Sequence, residues 1–247
     1  MHSPLASFGI LAVGLVVGMV NGVVGGGSVL SYPAMLATGL SPVVATITNS
    51  VGVSSANLFA LAASLRRSRV DLSAWIGTAI ASAGGAAIGI YLLLTIPARI
   101  FDYAVPVLLL FAALSVLIRV PAPRPSDAPR PRHILPIIFG SGIYCGYFGP
   151  GQGVMVLATL THDGRLSTHE VNVIKNFILG ATGVATTLIF IMSGRVAWTQ
   201  AALLFIGSGF GGIVGGHFAS IFPATLFRWV IFTIGLASSL YLGSRLL

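Results

Sequence analysis

The sequence predicts an all-α protein that crosses a lipid bilayer several times. Three observations support this class: 55% of the 247 residues are hydrophobic, only 7% are charged, and the mean hydropathy is +0.97. Soluble domains carry about 25% charged residues, so a soluble globular enzyme is excluded. The formal charge of +8 comes from basic residues scattered between apolar runs. This scatter argues against a nucleic-acid-binding face and suits the loops of a membrane protein.

Eight apolar runs, bounded by charges or prolines, are candidates for transmembrane helices, which need about 20 residues. They lie at Leu5–Val24, Pro42–Leu65, Leu72–Leu94, Ala98–Ile118, His133–Phe148, Thr168–Met192, Val196–Ser220 and Ala224–Leu246. Two further apolar runs, Ser28–Leu40 and Gln152–Thr161, are too short to cross the hydrocarbon alone. No basic segment precedes the first run, so we do not expect a cleaved signal peptide.

One segment differs in composition and divides the chain nearly in half. Residues 119–133 read RVPAPRPSDAPRPRH. The prolines remove helix hydrogen bonds and the arginines exclude the segment from hydrocarbon, which predicts an aqueous, cytoplasmic linker. Residues 1–118 and 134–247 then form two transmembrane regions.

The two regions are predicted to be copies of one four-helix unit. Shifting the first by 124 to 127 positions places Asn49 on Asn176 and aligns a series of glycines: Gly18, Gly22, Gly25 and Gly27 with Gly142, Gly146, Gly149 and Gly151. An even number of spans per unit makes the two repeats parallel. If the short apolar runs also crossed, each unit would have five spans and the repeats would be inverted. The alignment matches the arginines at 69 and 195, and these would lie on opposite sides of the membrane if the repeats were inverted. They therefore favour the parallel arrangement.

The distribution of basic residues predicts the orientation. If the loops at 66–69, 119–132 and 195 and the C-terminus share one side, that side holds nine of the 13 Lys and Arg residues. The positive-inside rule makes this side cytoplasmic. Both termini are therefore expected in the cytoplasm.

Each predicted repeat contains a break in its first helix. Gly25-Gly26-Gly27 interrupts the first copy, and Gly146-Tyr147-Phe148-Gly149-Pro150-Gly151-Gln152-Gly153 interrupts the second. Consecutive glycines propagate a helix poorly, and broken backbone at membrane depth is tolerated only in protein or along a cavity. The short helices that start at Ser28 and Gln152 present N–H groups suited to an anion. Matched breaks indicate a transport site, with two turns at the membrane surface as the alternative.

Polar side chains inside apolar runs extend this candidate site. Asn172 and Asn176 share a helical face, Asn49 matches Asn176, and Lys175 is the only lysine in the chain. An ammonium group suits an oxyanion as a point charge. The alternatives are a lysine that snorkels to the surface and asparagines that bond between helices. Asn21 either adds an amide to the site or caps the broken helix.

The predicted anion-binding residues therefore lie at the two breaks and on two polar faces. They are Asn21, Gly25, Gly26, Gly27, Ser28, Asn49, Gly149, Gly151, Gln152, Gly153, Asn172, Lys175 and Asn176. No catalytic motif and no metal-binding spacing occurs in the sequence. We expect no enzyme activity, no cofactor and no bound metal.

These residues resemble the TauE/SafE sulfite exporter family, also called TSUP or DUF81. The resemblance rests on GLVVGMVNGVVGGGSVLSYP at 14–33, on GLSP at 39–42 with Ala45-Thr46, and on the degenerate copy at 146–153. It extends over the whole chain. Membership implies eight spans, a bacterial or archaeal inner membrane, and secondary transport of sulfite, sulfoacetate or thiosulfate. Lys175 replaces Thr48 of the first copy, so equal roles for the halves are not expected.

The sequence thus predicts a multi-pass secondary transporter for a small sulfur-containing anion, coupled to an ion gradient, most simply of protons. Its expected partners are the anion, the coupling ion and the lipid bilayer, without nucleic acid, and the sequence leaves homo-oligomerisation open. A metal-cation permease and a non-transporting membrane accessory protein are the alternative functions.

Overall fold

The structure is a computed structural model that describes residues 4–65, 70–117, 131–162, 166–218 and 224–245. Its regular structure within these residues is entirely helical, and one 3-10 turn at Ser73–Trp75 precedes the fourth α-helix. The ten α-helices are α1 (Pro4–Val23), α2 (Ser28–Ala37), α3 (Pro42–Leu65), α4 (Ile76–Thr95), α5 (Ala98–Ser115), α6 (Pro131–Tyr147), α7 (Gln152–His162), α8 (Thr168–Met192), α9 (Trp198–Phe218) and α10 (Ala224–Ser244).

Seven of the described helices are long and apolar enough to cross a membrane, which confirms a multi-pass α-helical protein. The predicted number was eight. The remaining candidate, α6, is apolar only over Ile134–Tyr147, fewer than the roughly 20 residues that a bilayer needs. This helix begins at Pro131 and so includes the last three residues of the predicted linker, whose residues 119–130 lie outside the described part of the chain.

The core of the molecule surrounds α3. Of the residues in this helix's candidate span, 72% are buried, compared with 17% for α10. Small and polar side chains on α3 allow neighbouring helices to approach closely: Ser55 Oγ donates to the Phe205 carbonyl of α9 at 2.7 Å and lies 2.8 Å from Ser208 Oγ. Small residues at helix contacts are the usual means of packing in membranes.

Both glycine breaks end a helix in the same way. Gly25 and Gly26 have φ of +79° and +83°, and Gly149 and Gly151 have φ of +95° and +98°. Residues with a side chain rarely adopt this region. Before the first break two successive N–H groups donate to the Val20 carbonyl, and before the second break two donate to the Tyr144 carbonyl. The chain then turns into α2 and α7.

Contacts between glycines establish the relative directions of the helices. Along α1 and α9 three pairs meet in rising order: Gly14 with Gly207, Gly18 with Gly212, and Gly22 with Gly215. These helices therefore run in the same direction. The pairs between α3 and α9 also rise together: Gly52 with Leu204, Ala56 with Gly212, and Ala60 with Gly216. Because α1 and α3 are both parallel to α9, the connecting helix α2 returns toward the side on which α1 begins.

Corresponding helices of the two halves run in opposite directions. In α3 and α8 the order is reversed, with Ser54 near Gly183 and Leu58 near Gly180. In α5 and α10 it is also reversed: Ala113 lies near Gly235 and Pro106 near Gly243. Helices α4 and α6, which are not corresponding helices, are parallel, through Ser82 with Gly142 and Ala86 with Gly146.

The prediction of parallel halves is therefore wrong. In each half the short helix after the first helix reverses the chain, and the three long helices that follow alternate in direction, so the two ends of each half lie at opposite ends of the bundle. The predicted grouping of loops is wrong for the same reason. Residue 195 follows α8 and residues 66–69 follow α3, and these two helices end on opposite sides.

Candidate functional site

The two breaks meet inside the protein. A methyl group on Gly25 would lie 2.7 Å from the carbonyl carbon of Gly153, and one on Gly153 would lie 2.9 Å from Gly25 Cα. The flanking residues Val24 and Phe148 are 2% and 0% exposed. Two separate turns at the membrane surface are therefore excluded, and a close backbone contact joins the hairpins of the two halves.

A small cavity of about 60 Å³ lies at this contact. It is next to the middle of α3 and α8, and its wall consists of glycine backbone, hydroxyls, amides and a few apolar groups. None of the described residues in the wall is Asp, Glu, Lys or Arg. Its residues are Asn21, Gly26, Ser28, Asn49, Ser50, Val53, Ser54, Asn57, Cys145, Gly149, Gly151, Gln152, Gly153, Leu179, Gly183 and Thr186.

Backbone donors are concentrated at this cavity. Four residues that line it have N–H groups with no acceptor among the described residues: Gly26, Ser28, Gly151 and Gly153. Two come from each break, at the starts of α2 and α7. The N–H groups in a helix's first turn lack partners within the helix, and such groups favour an anion.

Unsatisfied amides lie beside these donors. The Oδ1 atoms of Asn49 and Asn57 are buried without a hydrogen-bond partner, as are both polar side-chain atoms of Asn176. Asn176 precedes the cavity residue Leu179 by three positions, so the two share a helix face. A buried polar group without a partner costs about 1–3 kcal/mol. Of these atoms only Asn176 Nδ2 is a donor that an anion could accept from, whereas the Oδ1 atoms are acceptors and suit water or a protonated group of a ligand.

Gln152 is held in place by a hydroxyl network. Its Nε2 donates to Ser82 Oγ at 3.0 Å, and Thr182 Oγ1 donates to the same oxygen at 2.7 Å. The network joins α4, α7 and α8, and therefore fixes the start of α7 relative to the transmembrane helices.

Asn21 and Lys175 form a second polar link, between the halves. Asn21 Oδ1 accepts from the Gly27 N–H at 2.8 Å, so the amide caps the start of α2. Lys175 Nζ donates to the Asn21 carbonyl at 2.8 Å and to Asn172 Oδ1 at 3.3 Å. Lys175 is 0% exposed, which excludes a lysine that snorkels to the surface.

Eight of the predicted residues line the cavity, and five do not. Gly25 and Gly27 belong to the first break but are absent from the wall, while Asn172, Lys175 and Asn176 are on α8 outside it. The sequence analysis missed the part of the wall that α3 contributes. Ser50, Ser54 and Asn57 follow one another at spacings of four and three, a polar stripe that could have been recognised.

The fold and cavity define a class: a multi-pass α-helical membrane protein with a buried polar site between two broken helices, as in membrane transporters. The sequence model of the family described as Sulfite exporter TauE/SafE matches residues 10–242. The chain belongs to this family, which confirms the resemblance recognised in the sequence. No solved structure matches the chain significantly.

Curated relatives bear names of the same class. The chain is 29% identical over 230 residues to a "Probable membrane transporter protein" of Haemophilus influenzae, covering 89% of this chain and 87% of the relative. It is 28% identical over 242 residues to "Probable membrane transporter protein ORF9" of Sinorhizobium sp, covering 92% and 88%. It is 27% identical over 222 residues to "Probable membrane transporter protein YfcA" of Escherichia coli K12, covering 88% and 82%.

Proposed function

We propose that this protein is a secondary transporter that moves a small sulfur-containing anion of the sulfite, sulfonate or thiosulfate type across the bacterial inner membrane. An ion gradient supplies the energy. The observation that carries the proposal is the convergence of two helix breaks on one buried cavity, where residues with four unpaired backbone N–H groups form part of the wall.

The electrostatics of the cavity favour an anion. Helices α2 and α7 both begin at its wall, with Ser28 and Gln152, so the positive ends of two helix dipoles converge there. The part of the wall that the structure describes has no carboxylate to neutralise a cation. A metal-cation permease would need such oxygen ligands or clustered His and Cys, and the described residues contain no group of three or more His, Cys, Asp or Glu.

The size of the cavity suits a compact charged group. Its volume of about 60 Å³ is several times the roughly 10–15 Å³ that one water needs. It is less than half of a 150 Å³ cavity that binds benzene. A sulfite ion or a sulfonate head group is compatible with this space. A non-transporting accessory protein would leave the paired breaks and their unsatisfied amides without a ligand.

The opposed hairpins suggest how the site is exposed. Helix α2 returns to the side where α1 begins, and α7 returns to the opposite side, where α6 begins. Movement of one half against the other would open the cavity alternately to each side, as in other carriers with inverted repeats.

The directions of the helices also support a different orientation of the chain in the membrane from the one that the sequence predicts. On the side where α1 begins and α10 ends, the basic residues are Arg99, Arg195 and Arg245. On the other side there are nine: Arg66, Arg67, Arg69, Arg119, Arg124, Arg130, Arg132, Arg165 and Arg228. The positive-inside rule makes the nine-residue side cytoplasmic. In this proposal both chain ends lie outside the cytoplasm, opposite to the expectation from sequence, and the connection between α5 and α6 faces the cytoplasm.

Flux in proteoliposomes tests the proposed activity. We expect faster uptake of radiolabelled sulfite, thiosulfate or methanesulfonate than in protein-free liposomes, and a loss of about tenfold or more in Asn49→Ala, because about 1.4 kcal/mol corresponds to tenfold. The matched control is Thr233→Ala, an exposed hydroxyl on α10. A folded protein that moves none of these anions, but is stabilised against heat by divalent cations, would contradict the proposal.

A further inference from the structure

Lys175 has an unusual position for a charged group. Within the described residues it is the only charged side chain that is buried, at 0% exposure. Both of its hydrogen-bond acceptors, the Asn21 carbonyl and Asn172 Oδ1, are neutral. An ammonium group in a low-dielectric interior is costly unless an opposite charge compensates it.

The surrounding helices offer no described compensating charge. Helices α1, α3, α4 and α7 pack against α8. The described parts of α1 and α3 contain no titratable side chain, and α4 contains only Tyr91, which is 67% exposed. On α8 itself, His169 and Glu170 lie in the first turn. The Glu170 carboxylate accepts a hydrogen bond from the Ser167 N–H there, as part of the helix cap. His162 ends α7, and its side chain lies outside the described part of the structure.

Asn21 connects this ammonium group to the cavity. Its carbonyl accepts from Lys175 Nζ, its side chain caps Gly27, and the residue itself lines the cavity wall. Asn21 therefore links the ammonium group to the wall of the cavity in which we propose that the anion binds. Opposite charges attract more strongly in a protein interior than in water.

We propose that Lys175 carries the coupling proton of the transport cycle. This inference rests on the proposed anion transport. An anion in the cavity lowers the free-energy cost of the ammonium form, and the ammonium form increases the affinity for the anion. Such coupling between two binding sites is reciprocal. The proton and the anion are then bound together and released together.

The cycle balances in protons and charge. The neutral amine of Lys175 takes one proton from water on the side to which the cavity is open, and one anion enters. After the conformational change the anion leaves on the other side, and the ammonium returns its proton to water there. One proton and one anion move in the same direction, without net charge for a monovalent anion.

Proton uptake during anion binding tests this step on the purified wild-type protein. Titration calorimetry with thiosulfate or methanesulfonate, repeated in buffers of different ionisation enthalpy, gives the number of protons bound per anion. Both probes are conjugate bases of strong acids and stay fully ionised from neutral to alkaline pH, so neither brings a proton. We expect uptake that passes through a maximum in this range and approaches about one proton per anion.

Two substitutions separate charge from proton transfer. Lys175→Arg keeps the positive charge but does not release a proton, so we expect anion binding with no proton uptake. Lys175→Gln removes the charge, so we expect anion affinity to fall about 5- to 150-fold, the usual range for coupled sites, again with no uptake. His169→Gln, a titratable side chain at the exposed start of the same helix, is the control and should retain wild-type uptake.

The possible results distinguish this inference from the proposed function. Anion binding without proton uptake across the whole range in the wild-type protein would overturn the role of Lys175 and leave anion transport intact. Undiminished uptake in folded Lys175→Arg would also overturn it. Failure of a folded wild-type protein to bind either probe or sulfite would overturn both.

Discussion

Gly25 and Gly153 pack against each other backbone to backbone, although 128 positions separate them in the sequence. The first is the first glycine of the break after α1, and the second is the second residue of α7. No side chain fits between them without displacing one hairpin. Both the cavity and its backbone donors therefore depend on the absence of a Cβ at these two positions.

Replacing Gly25 by alanine should disrupt the site. The residue has φ of +79°, which costs a residue with a side chain about 1 kcal/mol, and the new methyl group would clash with Gly153. We expect a lower Tm in detergent and loss of anion binding. Gly39→Ala is the control, because Gly39 has φ of +87° but open space around it. An equal effect of both substitutions would show that backbone strain alone, and not the contact, determines the result.

Glycines on α6 should differ sharply in their tolerance of alanine. A Cβ on Gly146 would overlap the Ala86 carbonyl of α4, whereas one on Gly140 would meet nothing within 4 Å. We expect Gly146→Ala to separate the two helices and lower the Tm by several degrees, consistent with a loss of 1–3 kcal/mol from overpacking. Gly140→Ala should leave the Tm unchanged or slightly higher. Thermal unfolding in a fixed detergent measures both, and a stable Gly146→Ala protein would contradict the described α4–α6 contact.

A negative charge at Gln152 should repel the anion. Gln152→Glu preserves the size of the side chain but places a carboxylate in the cavity wall, where the electrostatic penalty is large in a low dielectric. We expect anion affinity to fall by at least about tenfold, measured by calorimetry. Ser82→Ala removes the hydroxyl that accepts from Gln152 without adding charge, so it should have a smaller effect. The reverse order of these two effects would indicate that positioning of α7 matters more than charge.

The orientation can be tested with single cysteines. In a Cys145→Ser background, Thr199→Cys lies at the exposed start of α9, and Ala74→Cys lies in the exposed 3-10 turn before α4. We expect a membrane-impermeant maleimide to label position 199 in intact cells and position 74 only after permeabilisation. Labelling with the opposite pattern would place both chain ends in the cytoplasm.

The sequence predicts the helices well where charge or proline bounds an apolar run. Helices α3 and α8 match the predicted Pro42–Leu65 and Thr168–Met192 at both ends. It does not predict the orientation of the halves, because a run of apolar residues gives the length of a helix but not the direction of the chain after it. The chain reverses direction at Gly25 and Gly26, so α1 and α2 form a pair that returns to its starting side. The expected number of membrane crossings in the first half then changes from even to odd.

The residues of the candidate site could also be predicted only in part. The breaks are predictable because only glycine tolerates the backbone that they require. The polar stripe of α3 is visible in the sequence, but its role is harder to assign, since a serine in an apolar helix commonly bonds to its own backbone, as Ser54 does to the Val51 carbonyl. Lys175 was expected to face the anion. Instead it satisfies a carbonyl near the C-terminal end of α1, where helix carbonyls lack partners.

The opposed directions of corresponding helices have a consequence for the proposed transport cycle. Two similar segments inserted head to foot in a bilayer are related by a half-turn about an axis lying in the membrane plane. When each segment takes up the backbone geometry that its counterpart has in this structure, the result is the same assembly turned upside down. In the proposed transport cycle, exchange of the two conformations between the halves gives a second state whose entrance faces the other compartment.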